Sequence, residues 1–162
     1  MAPLTVVFVC TGNTCRSPLA MSLAQQLWPE GTVFRSAGLS AATGQPAAVA
    51  AVAVAAERGL DLGSHRSRRL DADLAAEADW LIGMTSAHVA VLQQQLRGSN
   101  TRRIGLLGCP NQDLTDRPIP AAEEITDPFG EAVAAYRNTA DQLERLLRDW
   151  TPIFGNTAGG SA

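Results

Sequence analysis

Residues 4–9 read LTVVFV, a run of apolar and β-branched residues broken by a single threonine. A strand of this kind needs cover on both faces, the position of a central strand in a parallel sheet rather than of a half-exposed hairpin. The run stops at Cys10, and Ser17-Pro18 follows in the register of a helix start, with a capping hydroxyl and a proline at the first helical position. Leu19, Leu23 and Leu27 then recur at helical spacing until Pro29. Strand signals return in TVFRSAG, which closes on Gly38, in DWLIGM and in RRIGLL. Between them lie an Ala- and Val-rich helical stretch over 46–57, stopped by Gly59, and SAHVAVLQQQL, opened by Ser86. The last helix is the most regular, with Val133, Tyr136, Leu143, Leu147 and Trp150 on one face and Asp141, Glu144, Arg145 and Arg148 turned away. This alternation predicts an α/β fold, a parallel sheet with helices on both faces. Ligands of such sheets bind beyond the carboxyl ends of the strands, and Cys10 lies at that end of the first strand.

A chain of 162 residues with 46% apolar content is expected to form one domain around a buried core, here over 1–154, with 155–162 (GNTAGGSA from Gly155) as a flexible tail. Its apolar runs are short and interrupted, so no transmembrane span and no membrane partner are expected. The segment MAPLTVVFVC carries no basic stretch ahead of its apolar run and reads as a strand, not a signal peptide, which predicts a cytoplasmic protein. A net charge of −3 gives no broad basic surface for nucleic acid. All 13 basic residues are arginine, and without lysine a phosphate loop of the GxxxxGKS/T kind is impossible. Cys10, Cys15 and Cys109 are odd in number and lack CxxC spacing, which argues against a disulfide scaffold or a zinc site and leaves packed or reactive thiols. No metal is expected. The Pro- and Asp-rich loop between Gly108 and Gly130 is long for a compact domain, and such loops often carry function.

The residues from Cys10 to Ser17 suit one chemistry. A loop entering a helix N-terminus turns several backbone N–H groups inward, and the helix dipole adds its positive end, so the loop is a concave anion site. Gly12 relieves crowding where the backbone curls, and Arg16 offers a planar fork for two oxygens of a phosphate. The same field favours the thiolate of Cys10, which can attack phosphorus and form a covalent intermediate. The Ser17 hydroxyl is placed to bond that thiolate as well as to cap the helix.

The stretch VCTGNTCRSP resembles the CxGNxCRSP signature of the low-molecular-weight protein phosphatases, small cysteine-dependent enzymes acting on phosphotyrosine or phosphoarginine. A second family motif, Asp-Pro followed by an aromatic residue, is matched by Asp127-Pro128-Phe129, and the resemblance runs from the first strand to the last helix. It implies a flavodoxin-like three-layer sandwich with a four-stranded parallel sheet in the order 2-1-3-4. It also implies no cofactor, phosphorylated proteins as partners, and a monomer or weak dimer. Carried over residue by residue, Cys10 is the nucleophile and Arg16 the phosphate clamp. Asp127 protonates the leaving group and then activates the water that hydrolyses the phosphocysteine. Thr11, Gly12, Asn13, Thr14, Cys15, Ser17 and Phe129 form the substrate site. Asn13 resembles the asparagine that holds the loop, with Ser36 and His65 as its partners. Asp113 and Asp116 lack the Pro-aromatic context and read as turn acids, Arg66, Arg68 and Arg69 as a solvated face, Trp28, Trp80 and Trp150 as core, and Cys109 as structural.

Two departures bear on the substrate. Tyrosine-directed members usually carry Ile or Leu where this chain has Thr14, and often an aromatic pair after Asp-Pro where it has Phe129-Gly130. Both features look like the protein arginine phosphatases, and a polar β-branched residue narrows the pocket and offers an oxygen to a guanidinium. A flat apolar slot between aromatic walls would favour a phenyl ring instead. The departures lean to phosphoarginine, with phosphotyrosine as the alternative. A thioredoxin-coupled arsenate reductase of this fold would need further cysteines after the third strand, where GMTSAHVAVL has none. A phosphocysteine carrier would have no use for Asp127 as an acid. Cys15 is a second thiol in the loop, and the expectation is that it traps peroxide-oxidised Cys10 as a reversible disulfide, the alternative being an inert packed thiol.

Overall fold

The structure is a computed structural model that describes residues 2–99 and 103–155. Strand β1 (Leu4–Cys10) lies between β2 (Thr32–Gly38) and β3 (Trp80–Gly83), and β4 (Arg103–Leu106) pairs with β3. All three pairings are parallel, giving the expected order 2-1-3-4. The central position of β1 follows from its composition. Val6 and Phe8 enter one apolar cluster and Val7 and Val9 the other, all four fully buried. At about 1.5–3 kcal/mol for each large apolar side chain removed from water, this one strand anchors both halves of the core.

Helices α1 (Arg16–Leu27), α2 (Val49–Glu57), α5 (Val133–Arg148) and α6 (Thr151–Phe154) pack on the face carrying Val6 and Phe8. Helices α3 (Ala72–Glu77) and α4 (Ser86–Gln95) cover the other. Among the described residues no helix is long and apolar enough to cross a membrane. The tail expected over 155–162 lies, beyond Gly155, outside the described residues.

Several boundaries differ from the sequence reading, each for a local reason. Helix α1 begins at Arg16 with Cys15 in the capping position and no side-chain cap, so Ser17 is not the N-cap and Pro18 is the third helical residue. Ser17 is fully buried and its hydroxyl is engaged by the preceding loop instead. Helix α2 starts at Val49 rather than Pro46, because Pro46 bridges to Arg66 and the Ala48 N–H donates to the Thr14 carbonyl at 2.9 Å. Helix α4 starts at Ser86 as expected, with Thr85 before it as the cap. Trp150 is fully buried but follows the end of α5, and its indole N–H donates to the Leu107 carbonyl at 2.9 Å. Trp28 is only partly buried, packed against the cluster that holds Trp80 and Trp150.

The register brings β1 and β2 to a common end, Cys10 opposite Gly38. A Cβ built on Gly38 would stand 2.6 Å from the Thr11 carbonyl oxygen and 3.0 Å from the Asn13 nitrogen, so this strand end must be glycine for the following loop to pass. Gly38→Ala is therefore expected to destabilise the protein by about 1–3 kcal/mol, the usual cost of overpacking, in a denaturant titration. It should also lower phosphate affinity, because the backbone it displaces is the loop from Thr11 to Asn13.

Candidate active site

Nine residues line a cavity of about 240 Å³ at the carboxyl edge of the sheet: Cys10, Thr11, Gly12, Asn13, Thr14, Cys15, Arg16, Asp127 and Phe129. Six of them are residues the sequence assigns to the substrate site, and Cys10, Arg16 and Asp127 are those it assigns to catalysis; Ser17, also expected at the substrate site, does not line the cavity. Ser17, Ser36 and His65 stand behind the loop, in contact with its inner residues.

Asn13 organises this loop. Its backbone is left-handed, with φ of 57°, a conformation that asparagine tolerates better than most residues. The side chain is fully buried, and its Nδ2 donates to Ser17 Oγ at 2.8 Å and Ser36 Oγ at 3.0 Å. Its Oδ1 accepts from the Arg68 N–H at 2.8 Å, and its backbone carbonyl accepts from His65 Nε2 at 2.8 Å. Loop, β2 and the segment before α3 are thus tied at one residue. Within the described residues, the N–H groups of Gly12, Thr14, Cys15 and Arg16 meet no backbone acceptor. They remain donors for an anion at the helix start.

The sulfur of Cys10 is buried at the base of this arch. The Asn13 N–H donates to it at 3.3 Å, and Ser17 Oγ lies 2.9 Å away. Ser17 Oγ accepts from Asn13 Nδ2 and donates to the Ala37 carbonyl at 3.4 Å, so a single hydroxyl links the sulfur, the loop and the end of β2. Burial pushes the Cys15 thiol up, and the hydroxyl of Tyr136, itself pushed up by burial, sits 3.5 Å from its sulfur. Cys109 is buried and also pushed up by burial, away from the cavity.

Arg16 is buried to 6% exposure, and its guanidinium donates to the Ile125 carbonyl at 3.1 Å and pairs with Asp127 at 3.5 Å. The Asp127 carboxylate is half exposed and accepts from the Phe129 N–H at 3.1 Å, a turn that directs it over the cavity mouth. Gly130 follows with φ of 80°, and Phe129 stands 71% exposed at the rim. The segment carrying Asp127 is fastened to the start of α4. The Ile125 N–H donates to the Met84 carbonyl at 3.1 Å, and Glu124 accepts from the Ser86 N–H. Hydrogen bonding by Ser86, its side chain first and its backbone N–H second, holds the Glu124 carboxyl below its usual range. Asp113 accepts from the Thr115 N–H at 3.0 Å in a local turn, as expected, and Arg66 and Arg69 are exposed. Among the described residues no three His, Cys, Asp or Glu side chains are grouped to hold a metal ion.

The sequence reading missed His88. This residue is 5% exposed on α4, and its Nε2 lies 3.0 Å from Thr11 Oγ1. Its partner is 77 positions away, beyond the reach of any local pattern.

An anion bound in this cavity would meet backbone donors, the Arg16 fork and the Cys10 sulfur beneath, with a carboxyl group above. The family model described as low molecular weight phosphotyrosine protein phosphatase matches residues 5–157. The protein-arginine-phosphatase of Geobacillus stearothermophilus is 34% identical over 145 residues, 90% of this chain and 92% of that relative. The low molecular weight protein-tyrosine-phosphatase Etp of Escherichia coli is 32% identical over 149 residues, 90% and 91% of the two chains. Among solved structures, the YwlE arginine phosphatase of G. stearothermophilus superposes with a TM-score of 0.79 at 32% identity, covering 93% of this chain and 92% of that one.

His88 also makes stability depend on pH. Burial, and secondarily the positive charge of Arg16, lower it from 6.5 to about 4. Between those values the unfolded chain carries a proton on this ring that the folded protein does not. The associated stability is therefore complete above pH 6.5 and is lost as pH falls toward 4. The difference in unfolding free energy between the wild type and His88→Asn should be flat above pH 6.5. It should shift by about 1–3 kcal/mol against the wild type across the acidic window, measured by urea unfolding at each pH.

Proposed function

The chain belongs to the low-molecular-weight protein phosphatase family, and on that premise we propose that it removes phosphate from phosphoarginine in proteins through a phosphocysteine on Cys10. In this reading the Cys10 thiolate attacks phosphorus while the loop N–H groups and Arg16 bind the equatorial oxygens. The P–N bond breaks as the Asp127 carboxyl gives its proton to the departing guanidino nitrogen. As the substrate enters, Arg16 exchanges its contact with Asp127 for phosphate oxygens. In the second step Asp127 removes a proton from water as that water attacks phosphorus. The S–P bond breaks, the thiolate is restored, and inorganic phosphate leaves. The Asn13 N–H, which donates to the sulfur, stabilises it as a leaving group. A reducing compartment such as the cytoplasm suits an enzyme whose nucleophile is a thiol.

The observation that carries the choice of phosphoarginine is the make-up of the cavity wall. Thr14 is the side chain between Asn13 and Cys15 on that wall, and Phe129 is the one aromatic residue among those lining it. A phenyl ring would be stacked from one side only, which limits the gain from aromatic contact. A guanidinium, by contrast, has N–H groups for the Thr14 hydroxyl and a planar face for Phe129. The backbone of Thr14 is held to Ala48 at the start of α2, which supports a fixed position for its hydroxyl.

Hydrolysis of phosphoarginine and phosphotyrosine peptides by the wild type and Thr14→Ile tests this reading. The wild type is expected to favour phosphoarginine in kcat/KM, and the substitution to shift the ratio toward phosphotyrosine by about tenfold or more, through loss of a polar contact to the leaving group. A wild type that prefers phosphotyrosine, with little change on substitution, would make this a tyrosine phosphatase.

A further inference from the structure

His88 is almost fully buried, and both of its ring nitrogens are bonded. Nδ1 accepts from the Thr85 N–H at 3.2 Å while Thr85 Oγ1 accepts from the His88 N–H at 3.3 Å, a reciprocal cap at the first turn of α4. A nitrogen that accepts carries no proton, so the neutral ring bears its proton on Nε2. The 3.0 Å contact with Thr11 Oγ1 is therefore a donation from histidine to threonine. Thr11 then has its oxygen engaged and its hydroxyl proton left to give. Among the described residues that hydroxyl meets no protein acceptor, and Thr11 lines the cavity next to Cys10. The approach is close by construction: a Cβ on Gly83, at the end of β3, would lie 2.9 Å from the His88 Cβ.

We infer that His88 is a positioning residue for the phosphatase reaction, fixing Thr11 Oγ1 as an acceptor so that the threonine proton is donated to a phosphoryl oxygen in the cavity. The donations run one way, from the α4 backbone through imidazole and hydroxyl to the anion. The charged groups facing His88 are Arg16 from α1 and Asp127 and Glu124 from the loop before α5. Burial and Arg16 oppose a second proton on the ring, as does the Thr85 N–H aimed at Nδ1, so the direction of donation is kept at neutral pH. The same turn of α4 holds the acid-bearing segment through Met84, Ser86 and Glu124, so one helix start sets both the loop under the phosphate and the carboxylate above it.

The inference rests on the phosphatase assignment and is independent of the choice between phosphoarginine and phosphotyrosine. Para-nitrophenyl phosphate is the substrate and inorganic phosphate the competitive inhibitor. Turnover by the wild type checks the assignment separately. His88→Asn keeps an oxygen near the Nδ1 position for the cap but does not reach Thr11. His88→Gln reaches Thr11 with an amide N–H but gives up the cap. His88→Asn and Thr11→Val should each lower kcat/KM by about tenfold, below the hundredfold or more of a dedicated oxyanion donor. Both should weaken phosphate inhibition by a similar factor, and the double variant should be no worse than either single one. His88→Gln should recover activity to within about threefold of wild type while unfolding at lower urea, the reverse of His88→Asn. Wild-type kcat/KM in His88→Asn or Thr11→Val would overturn the inference. So would multiplicative losses in the double variant, or equal losses in both His88 variants with phosphate inhibition unchanged.

Discussion

The site depends on how Asn13 is held. A loop that binds an anion through its backbone must keep its N–H groups free, yet a loop without internal hydrogen bonds has little to hold its shape. Here the shape comes from the acceptor and side-chain groups of one residue. The Asn13 carboxamide and carbonyl bind Ser17, Ser36, Arg68 and His65, which belong to α1, β2 and the segment before α3. At about 1 kcal/mol net for each buried hydrogen bond, these contacts outweigh the modest cost of a left-handed asparagine. They leave the donors of Gly12, Thr14, Cys15 and Arg16 unused. Preorganised donors of this kind bind developing charge without rearranging, which is where electrostatic catalysis has its largest effect.

The second fixed point is the start of α4. Met84 and Ser86 hold Ile125 and Glu124, Ile125 in turn accepts from Arg16, and His88 reaches Thr11. The acid-bearing segment has neither helix nor strand of its own, so the backbone bond of Ile125 to Met84, just after β3, and the bond from the Ser86 N–H to the Glu124 carboxylate set its position. Loop and carboxylate are therefore referred to the same two strands, β1 and β3, whose pairing ends at Val9 and Gly83.

The sheet was legible in the sequence because its inner strands are almost continuously apolar, and Cys10 at the end of β1 marks the edge where a ligand site belongs. Cys10, Arg16 and Asp127 were readable from two short motifs and converge in one cavity. What local pattern did not show has a common cause. Ser17 looks like a helix cap in sequence, but its hydroxyl is taken by Cys10 and Asn13, a tertiary contact that overrides the local preference. Helix α3 buries only Leu74 and Ala75, too few positions to show a period. His88 sits at an ordinary capping position, and its contact with Thr11 arises only when β1 and β3 lie side by side.

Covalent transfer to Cys10 is the central claim, and it can be observed directly. Para-nitrophenolate leaves without acid assistance, whereas in the proposed reaction Asp127 is the base for hydrolysis of the phosphocysteine, so Asp127→Asn should accumulate the intermediate. Rapid quenching of that variant with para-nitrophenyl phosphate, followed by mass mapping, should find one phosphoryl group on the peptide containing Cys10, located on Cys10 and not on Cys15. Turnover that survives in Cys10→Ala, or turnover with no phosphoryl group ever found on Cys10, would contradict the account.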